Sequence, residues 1–295
     1  MDRISKDKKI ISRRDFLRIG CIFSMDVVLG ALVGWNYVDK VEPALVETSH
    51  VHLTLPNLPE SFSGFKIVQI SDIHIGPWMT PDRFTSIVEM VKEQSPDLVA
   101  ITGDMILSYD NMPNEQPALS DFVEALKNLT SEYSTVAVLG NHDYWYNAFI
   151  IREVLEEAGA KVLRNSHMSL ERNGDYFHIA GVDDVYEGHD DLARLLANLP
   201  KEGGAMLLAH EPDFADISAV TGRFDLQISG HSHGGQVVLP IVGPPILPYL
   251  GNKYPSGLYK VRDMYQYTNR GVGMTAPFVR FNCRPEITVF TLESV

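Results

Sequence analysis

Phe65-Lys66-Ile67-Val68-Gln69-Ile70-Ser71-Asp72-Ile73-His74 is a largely apolar run that stops at a carboxylate and an imidazole two residues apart. Such runs read as buried strands. Working outward, the same pattern recurs. Asp97-Leu98-Val99-Ala100-Ile101 precedes Gly103-Asp104, and Thr135-Val136-Ala137-Val138-Leu139 precedes Gly140-Asn141-His142-Asp143. Ala205-Met206-Leu207-Leu208-Ala209 leads into His210, and Phe224-Asp225-Leu226-Gln227-Ile228 leads towards Gly230-His231-Ser232-His233. The terminal side chains are oxygen and imidazole donors without a thiolate, the set that hard and borderline divalent metals take. One aspartate between two such sets can bridge two ions.

Helical segments are predicted between these strands. Pro81 to Gln94 opens on Thr80 as N-cap, Ser120 to Leu129 follows, and Asn147 to Ala158 ends at Gly159. Strand and helix alternation implies an α/β fold with a mostly parallel sheet covered by helices. In such sheets ligands bind beyond the carboxyl ends of the strands, so motifs at five strand ends can converge on one pocket.

In their order and residue types, Asp72-Ile73-His74, Gly103-Asp104, Gly140-Asn141-His142-Asp143, His210 and Gly230-His231-Ser232-His233 resemble the calcineurin-like metallophosphoesterase superfamily. The resemblance runs from about Val51 to the C-terminus. It implies a four-layer α/β sandwich, two mixed sheets flanked by helices, with a dinuclear centre at one edge. By the same resemblance Asp72, His74 and His233 hold one metal, Asn141, His210 and His231 hold the other, and Asp104 bridges both. The expected cofactors are two divalent ions, Mn, Fe or Zn.

The chemistry favours that arrangement. Two cations roughly 3.5–4 Å apart can hold a bridging hydroxide and both non-bridging oxygens of a phosphoryl group, so water attacks directly and no Ser or Cys nucleophile is needed. His142, beside a metal ligand but not used on the metal, is the expected proton donor to the leaving oxygen, and Asp143 is expected to orient His142 or its loop. The five histidines outside the motifs, 50, 52, 167, 178 and 189, are read as surface or packing residues. Asp183-Asp184 and His189-Asp190-Asp191 suggest a second acidic site, but they fall at a loop and a helix start, where acids favour the helix dipole.

The residues flanking the motifs narrow the substrate class. Protein Ser/Thr phosphatases of this superfamily carry Asp-Arg-Gly after the Gly-Asp and a Glu ending the third motif. Here Asp104 runs on to Met105-Ile106-Leu107 and the third motif ends in Asp143, so a protein phosphatase is not expected. Val237 to Tyr249 is apolar and proline-rich, too broken for a helix, and is expected to overhang the metal edge. It resembles an exported, often membrane-associated bacterial branch, some of whose relatives cleave lipid-linked phosphoesters or diphosphates. The expected activity is hydrolysis of phosphate mono- or diesters or lipid-linked diphosphates. Alternatives are a metal-dependent nuclease and a non-enzymatic metal-holding protein of the wall or membrane.

Ser12-Arg13-Arg14-Asp15-Phe16-Leu17-Arg18, followed by a mostly apolar run from Ile19 to Trp35, resembles a twin-arginine export signal. Asp26 interrupts the run and no clear cleavage site comes after it, so both a cleaved signal and a retained anchor stay open. Residues 1–46 are assigned to signal, anchor and linker, and 47–295 to one catalytic domain. The expected partners are a small or lipid-linked phosphoester, the twin-arginine translocase and a membrane surface. The expected location is the extracytoplasmic face of the membrane, the wall or the periplasm. Net charge is −13; residues 1–20 hold seven basic and three acidic side chains, leaving −17 for the rest, which disfavours a nucleic-acid groove. Cys21 and Cys283 fall on opposite sides of residue 46, so no disulfide forms within the domain.

Overall fold

The computed structural model describes residues 32–108 and 119–295. In one sheet, β1 (Glu47–Leu55), β2 (Phe65–Ile70), β3 (Leu98–Thr102), β4 (Thr135–Val138), β5 (Lys161–Val162) and β12 (Glu286–Ser294) lie in the order β1-β12-β2-β3-β4-β5. In the other, β6 (Ser166–Arg172), β7 (Asp175–Gly181), β8 (Gly204–Leu208), β9 (Leu226–Ser229), β10 (Gly257–Val261) and β11 (Met264–Thr268) lie in the order β10-β11-β9-β8-β7-β6. Both sheets are mixed. β2 to β5 run parallel while β12 is antiparallel to β2, and β7, β8, β9 and β11 run parallel between antiparallel β6 and β10.

A single, mostly parallel sheet inferred from alternation is therefore corrected to two mixed ones, as the family resemblance implies. The alternation stops after β5. β6 and β7 are joined by Asn173-Gly174, both at positive φ (56° and 87°). Two left-handed residues make the tight turn whose twist matches a hairpin, so the chain reverses and starts a new sheet.

Side chains alternate along the central strands and so divide the core. Ile67, Leu98, Ala100, Val136 and Val138 face Phe177, Ile179, Met206, Leu208 and Ile228 between the sheets. On the outer face of the first sheet, Val68, Ile70, Val99 and Ile101 meet α1 (Pro81–Glu93), α2 (Leu119–Thr130) and α4 (Ala148–Glu157) through Phe84, Val88, Phe122, Leu126, Ile151 and Leu155. Ala205 and Leu207 of the second sheet pack against Leu195 of α5 (Leu192–Asn198) and against Phe214. The result is helix, sheet, sheet, helix.

The expected helix starts hold with one addition. Thr80 Oγ1 accepts from Arg83 N at 3.4 Å with Pro81 at the first position, and Asn147 Oδ1 caps α4 through Phe149 N and Ile150 N. Before that cap the chain already forms α3 (Asn141–Tyr146). Gly140 is its N-cap, and Asp143 in the first turn accepts from Gly140 N at 3.0 Å.

At the N-terminal side, Val38 O accepts from Arg280 N at 2.9 Å and the buried Glu42 carboxylate accepts from Cys283 N at 2.6 Å. Arg13-Arg14 and Asp26 lie outside the described residues. Among the described residues no helix is long and apolar enough to cross a membrane.

Candidate metal centre

Five parallel strands deliver the motif residues to one edge. β2 runs into Asp72 and His74, β3 into Asp104, β4 into Asn141 and His142 at the head of α3, β8 into His210, and β9 into His231 and His233. The turns are abrupt. Asp72, His74, Asp104, His231 and His233 take φ of 48°, 49°, 54°, 69° and 52°. Left-handed backbone costs a non-glycine residue about 1–3 kcal/mol, and its clustering marks a functional edge. Asp and His tolerate the region better than most residues. At Gly230, a Cβ would stand 1.9 Å from Ser71 Oγ and 2.2 Å from Asp72 Oδ2, so only glycine lets the second sheet approach the carboxylate.

The converging atoms are close. His74 Nε2 and His233 Nε2 face each other at 2.9 Å, His233 Nε2 is 3.4 Å from Asp72 Oδ1, and His74 Nε2 is 3.7 Å from Asp104 Oδ2. His210 Nε2 is 3.2 Å from the same Asp104 oxygen. Among the described residues three donor groups form, each within 4.8 Å: Asp72, His74 and His233; His74, Asp104 and His142; Asp104, His210 and His231. Asp104 and His74 each belong to two of them. Asn141 Oδ1 is buried with no hydrogen-bond partner. A bare buried carbonyl costs roughly 1–3 kcal/mol, and if one of the opposed imidazole nitrogens donates to the other, the accepting ring carries its proton on an Nδ1 with no partner, so the donor set fits divalent cations.

Backbone carbonyls orient the rings. His210 Nδ1 lies 2.7 Å from Thr102 O, His231 Nε2 lies 2.8 Å from Tyr249 O, and His142 Nδ1 meets Ser108 O. In its neutral form each ring can donate one N–H there, leaving its other nitrogen as a lone pair, the usual outer-shell support of a metal histidine. Asp104 Oδ1 accepts from His142 N and both Asp72 oxygens from His231 N.

Burial sets the electrostatics, since none of these residues is more than 7% exposed. It pushes Asp72 up to about 7, with Asp104 adding repulsion, and pushes His74 down to about 3, with His142 adding to the effect. For Asp104 burial also acts upward, but the facing His210 and His142 overcome it and hold the carboxyl well below the usual range. Burial lowers His142 and His233. His210 is the exception: burial acts downward on it, but the facing Asp104 overcomes this and holds it well above the usual imidazole range, so a cation would have to displace the His210 proton to be bound there.

The edge therefore gathers Asp72, His74, Asp104, Asn141, His142, His210, His231 and His233. His142 has a ring nitrogen grouped with His74 and Asp104, while the resemblance keeps it off the metals. Asp143, expected to orient His142 or its loop, has its bonds to backbone, accepting from Met105 N at 2.8 Å, Ile106 N at 3.3 Å and Gly140 N. It fixes the segment after Asp104 through that backbone. Asp183 instead pairs with Arg164 at 2.6 Å and Asp191 caps α5 through Arg194 N at 2.8 Å; neither joins a donor group among the described residues.

Other contributors carry no motif. Arg280 is fully buried and donates to the carbonyls of Cys283, Arg270, Gly271 and Gly273, which fixes the loop against Asp72. Val272 N and Gly273 N then bond Ser71 O and Asp72 O. A cavity of about 500 Å³ opens beside the donors, walled by Trp145, Tyr186, Ile246, Leu247 and Tyr249. Trp145 lies 4.6 Å from His142 ring to ring and is held by a 2.8 Å bond from Nε1 to Glu187.

The sequence profile of the calcineurin-like phosphoesterases matches residues 65–235. The chain is 35% identical over 290 residues to YkuE of Bacillus subtilis, an uncharacterized metallophosphoesterase, covering 97% of this chain and 99% of that one. It is 31% identical over 287 residues to the phosphodiesterase YaeI of Escherichia coli, covering 96% and 100%. A transmembrane protein with metallophosphoesterase domain from Danio rerio is 33% identical over 282 residues, covering 90% of this chain and 61% of that protein.

Proposed function

The chain belongs to the calcineurin-like phosphoesterases and is a metal-dependent phosphoester hydrolase; from that premise we propose that it cleaves phosphodiesters whose leaving or retained group is apolar, lipid-linked phosphoesters and diphosphates included. The carrying observation is the juxtaposition of the buried donor groups with an aromatic and aliphatic cavity wall. Phosphoryl recognition is generic, so selectivity falls to what surrounds it.

In this reading Asp72, His74 and His233 would hold one divalent cation and Asn141, His210 and His231 a second, with Asp104 available to both. Such ions, when bound, polarise the phosphoryl group and make water a nucleophile near neutral pH. The protein's own groups do the rest. Ser108 O holds the His142 Nδ1 proton, so the opposite ring nitrogen can carry a proton to the leaving oxygen. Burial disfavours a charged His142, and an anionic phosphoryl group beside it offsets that penalty. Asp143 positions the Asp104 segment, while Trp145 and Tyr186 exclude water and accommodate apolar substituents.

Export by a twin-arginine route is part of the proposal, supported by Arg13-Arg14 and the apolar run after them. Lys-Lys in their place should leave folded, active protein in the cytoplasm; unchanged accumulation outside would remove this part. For the activity, the chain is stripped with chelator, reloaded with Mn, Fe or Zn, and assayed on p-nitrophenyl phosphate, bis(p-nitrophenyl) phosphate and a phospholipid diester. Metal-dependent turnover, highest on the lipid-bearing ester, is expected. Turnover confined to the monoester would overturn the substrate assignment.

A further inference from the structure

The chain ahead of β1 is tied to the metal centre. A π-helical turn, Tyr37–Val41, runs directly into a 3-10 turn, Glu42–Ala44. π turns are rare and gather at functional sites. Neither this stretch nor residues 280–283 fall within residues 65–235, where the family profile matches. Two bonds join them. Arg280 N donates to Val38 O at 2.9 Å, and Cys283 N donates to Glu42 Oε1 at 2.6 Å. Glu42 and Cys283 are both buried, so water does not stand in for that acceptor.

From residues 280–283 two branches run inward. Through one, the Arg280 guanidinium donates to Cys283 O at 3.1 Å and to the carbonyls of Arg270, Gly271 and Gly273 at 2.9, 3.1 and 2.7 Å. The loop so gathered presses on Asp72. Gly271 takes φ of 72°, and a Cβ there would stand 2.7 Å from Asp72 Cβ, while Gly273 N donates to Asp72 O at 2.8 Å. Through the other branch, Cys283 Sγ donates to His233 O at 3.2 Å. Both branches end on the donor group of Asp72, His74 and His233. The group of Asp104, His210 and His231 is oriented instead by Thr102 O and Tyr249 O.

We propose that Glu42 is a positioning residue for the cation site of Asp72, His74 and His233, acting through Cys283 and Arg280. The working metal centre then begins no later than Val38 rather than at residue 47. Without the Glu42 carboxylate, the buried Cys283 N–H loses its acceptor, and the turn that holds Asp72 and His233 loosens. Donors fixed before binding lose less freedom when the ion arrives, so loosening them costs affinity. The inference rests on the metal-binding reading given above.

The test uses the full chain, stripped with chelator and titrated with Mn alone, with free ion measured by electron paramagnetic resonance. Wild type should show two classes of site, and the class missing in His233→Ala is assigned to the Asp72 group. Glu42→Ala should weaken that class about 10-fold, the scale of one hydrogen bond to a charged group, and leave the other within about twofold. Glu42→Gln keeps an acceptor oxygen at the same reach and should stay within about threefold of wild type. A merely structural role would weaken both classes together. Should Glu42→Ala not fold, Cys283→Ala decides: it leaves the acceptor for the residue 283 N–H, cuts the branch to His233, and should weaken the same class roughly threefold. Unchanged Mn affinity, equal loss at both classes, or a Glu42→Gln as weak as Glu42→Ala would each overturn the positioning. A wild type that takes up no Mn would remove the metal-binding reading itself, and the inference with it.

Discussion

The floor of the cavity and its rim are built on opposite principles. The floor is made of strand ends, buried, with five donors held in left-handed backbone and rings oriented by backbone carbonyls. The rim is irregular chain, apolar and largely exposed from Ile241 to Tyr249. Rigid placement is what transition-state charge stabilisation requires. A loop with few buried contacts can vary without disturbing that placement. The difference teaches that the donor geometry and the surface around it are built by separate parts of this chain, which the proposed function reads as reaction class and substrate class.

Breaking the floor should have the largest effect. Asp104→Asn removes the carboxylate charge shared by two donor groups. If that charge secures the cations, bound metal measured by mass spectrometry falls, and kcat/KM falls at least ~10³-fold, the equivalent of several kcal/mol of charge stabilisation. Normal metal content with modest activity loss would show that Asp104 is dispensable to the floor.

Within the floor, adjacent residues should separate. Asn141→Ala should lower metal content if its buried, unpartnered oxygen is the ligand atom, as proposed. His142→Ala should retain metal and lose ~10²-fold or more in kcat. Since His142 also groups with His74 and Asp104, equal metal loss in both variants would make His142 a ligand and leave the proton donor unassigned.

This contrast also governs how much was legible in the sequence. Each floor residue sits at the end of an apolar run, so pattern and chemistry coincide at Asp72, Asp104, Asn141, His210 and His231. The supports do not advertise themselves. Thr102, Ser108 and Tyr249 act through backbone carbonyls, which every residue possesses, and Arg280 acts through a fold that brings residues 270–283 under Asp72. The second sheet was partly readable: Asn173-Gly174 between β6 and β7 is a strong hairpin signal, whereas strand and helix alternation by itself looks like one sheet. β1 and β12 were not readable as neighbours, because their pairing joins residues such as Val51 and Phe290 from opposite ends of the chain.

At the rim the expected effect is smaller and selective. Ile246→Asp with Leu247→Asp should lower kcat/KM for a lipid-bearing ester by up to ~10² relative to p-nitrophenyl esters, since each methylene removed from water contributes about 0.8 kcal/mol. Metal content should not change. A constant ratio between the two substrates would make the stretch mere packing and shift the assignment to small soluble phosphoesters.

The smallest effect on turnover is expected where floor and rim are joined. Glu211, next to His210, accepts from Val185 N and Tyr186 N, and Asp184 accepts from Glu187 N at 2.7 Å, so two neighbouring carboxyls fix the turn that carries Tyr186 and Glu187. Burial first, and Glu211 second, push Asp184 up to about 10. An acid whose folded pKa exceeds its unfolded value of 3.8 binds its proton more tightly when folded. The associated stability is full below about pH 4 and is lost as pH rises towards the folded value. Asp184→Asn, which keeps the neutral shape, should therefore gain in Tm over wild type progressively from about pH 5 to about pH 9. The gain should be a fraction of the ~1.4 kcal/mol per pH unit that one whole proton carries. Bis(p-nitrophenyl) phosphate turnover should stay within about twofold of wild type. Parallel Tm curves for the two proteins would mean that Asp184 titrates alike in the folded and unfolded chain, and that its burial beside Glu211 carries no pH-dependent stability.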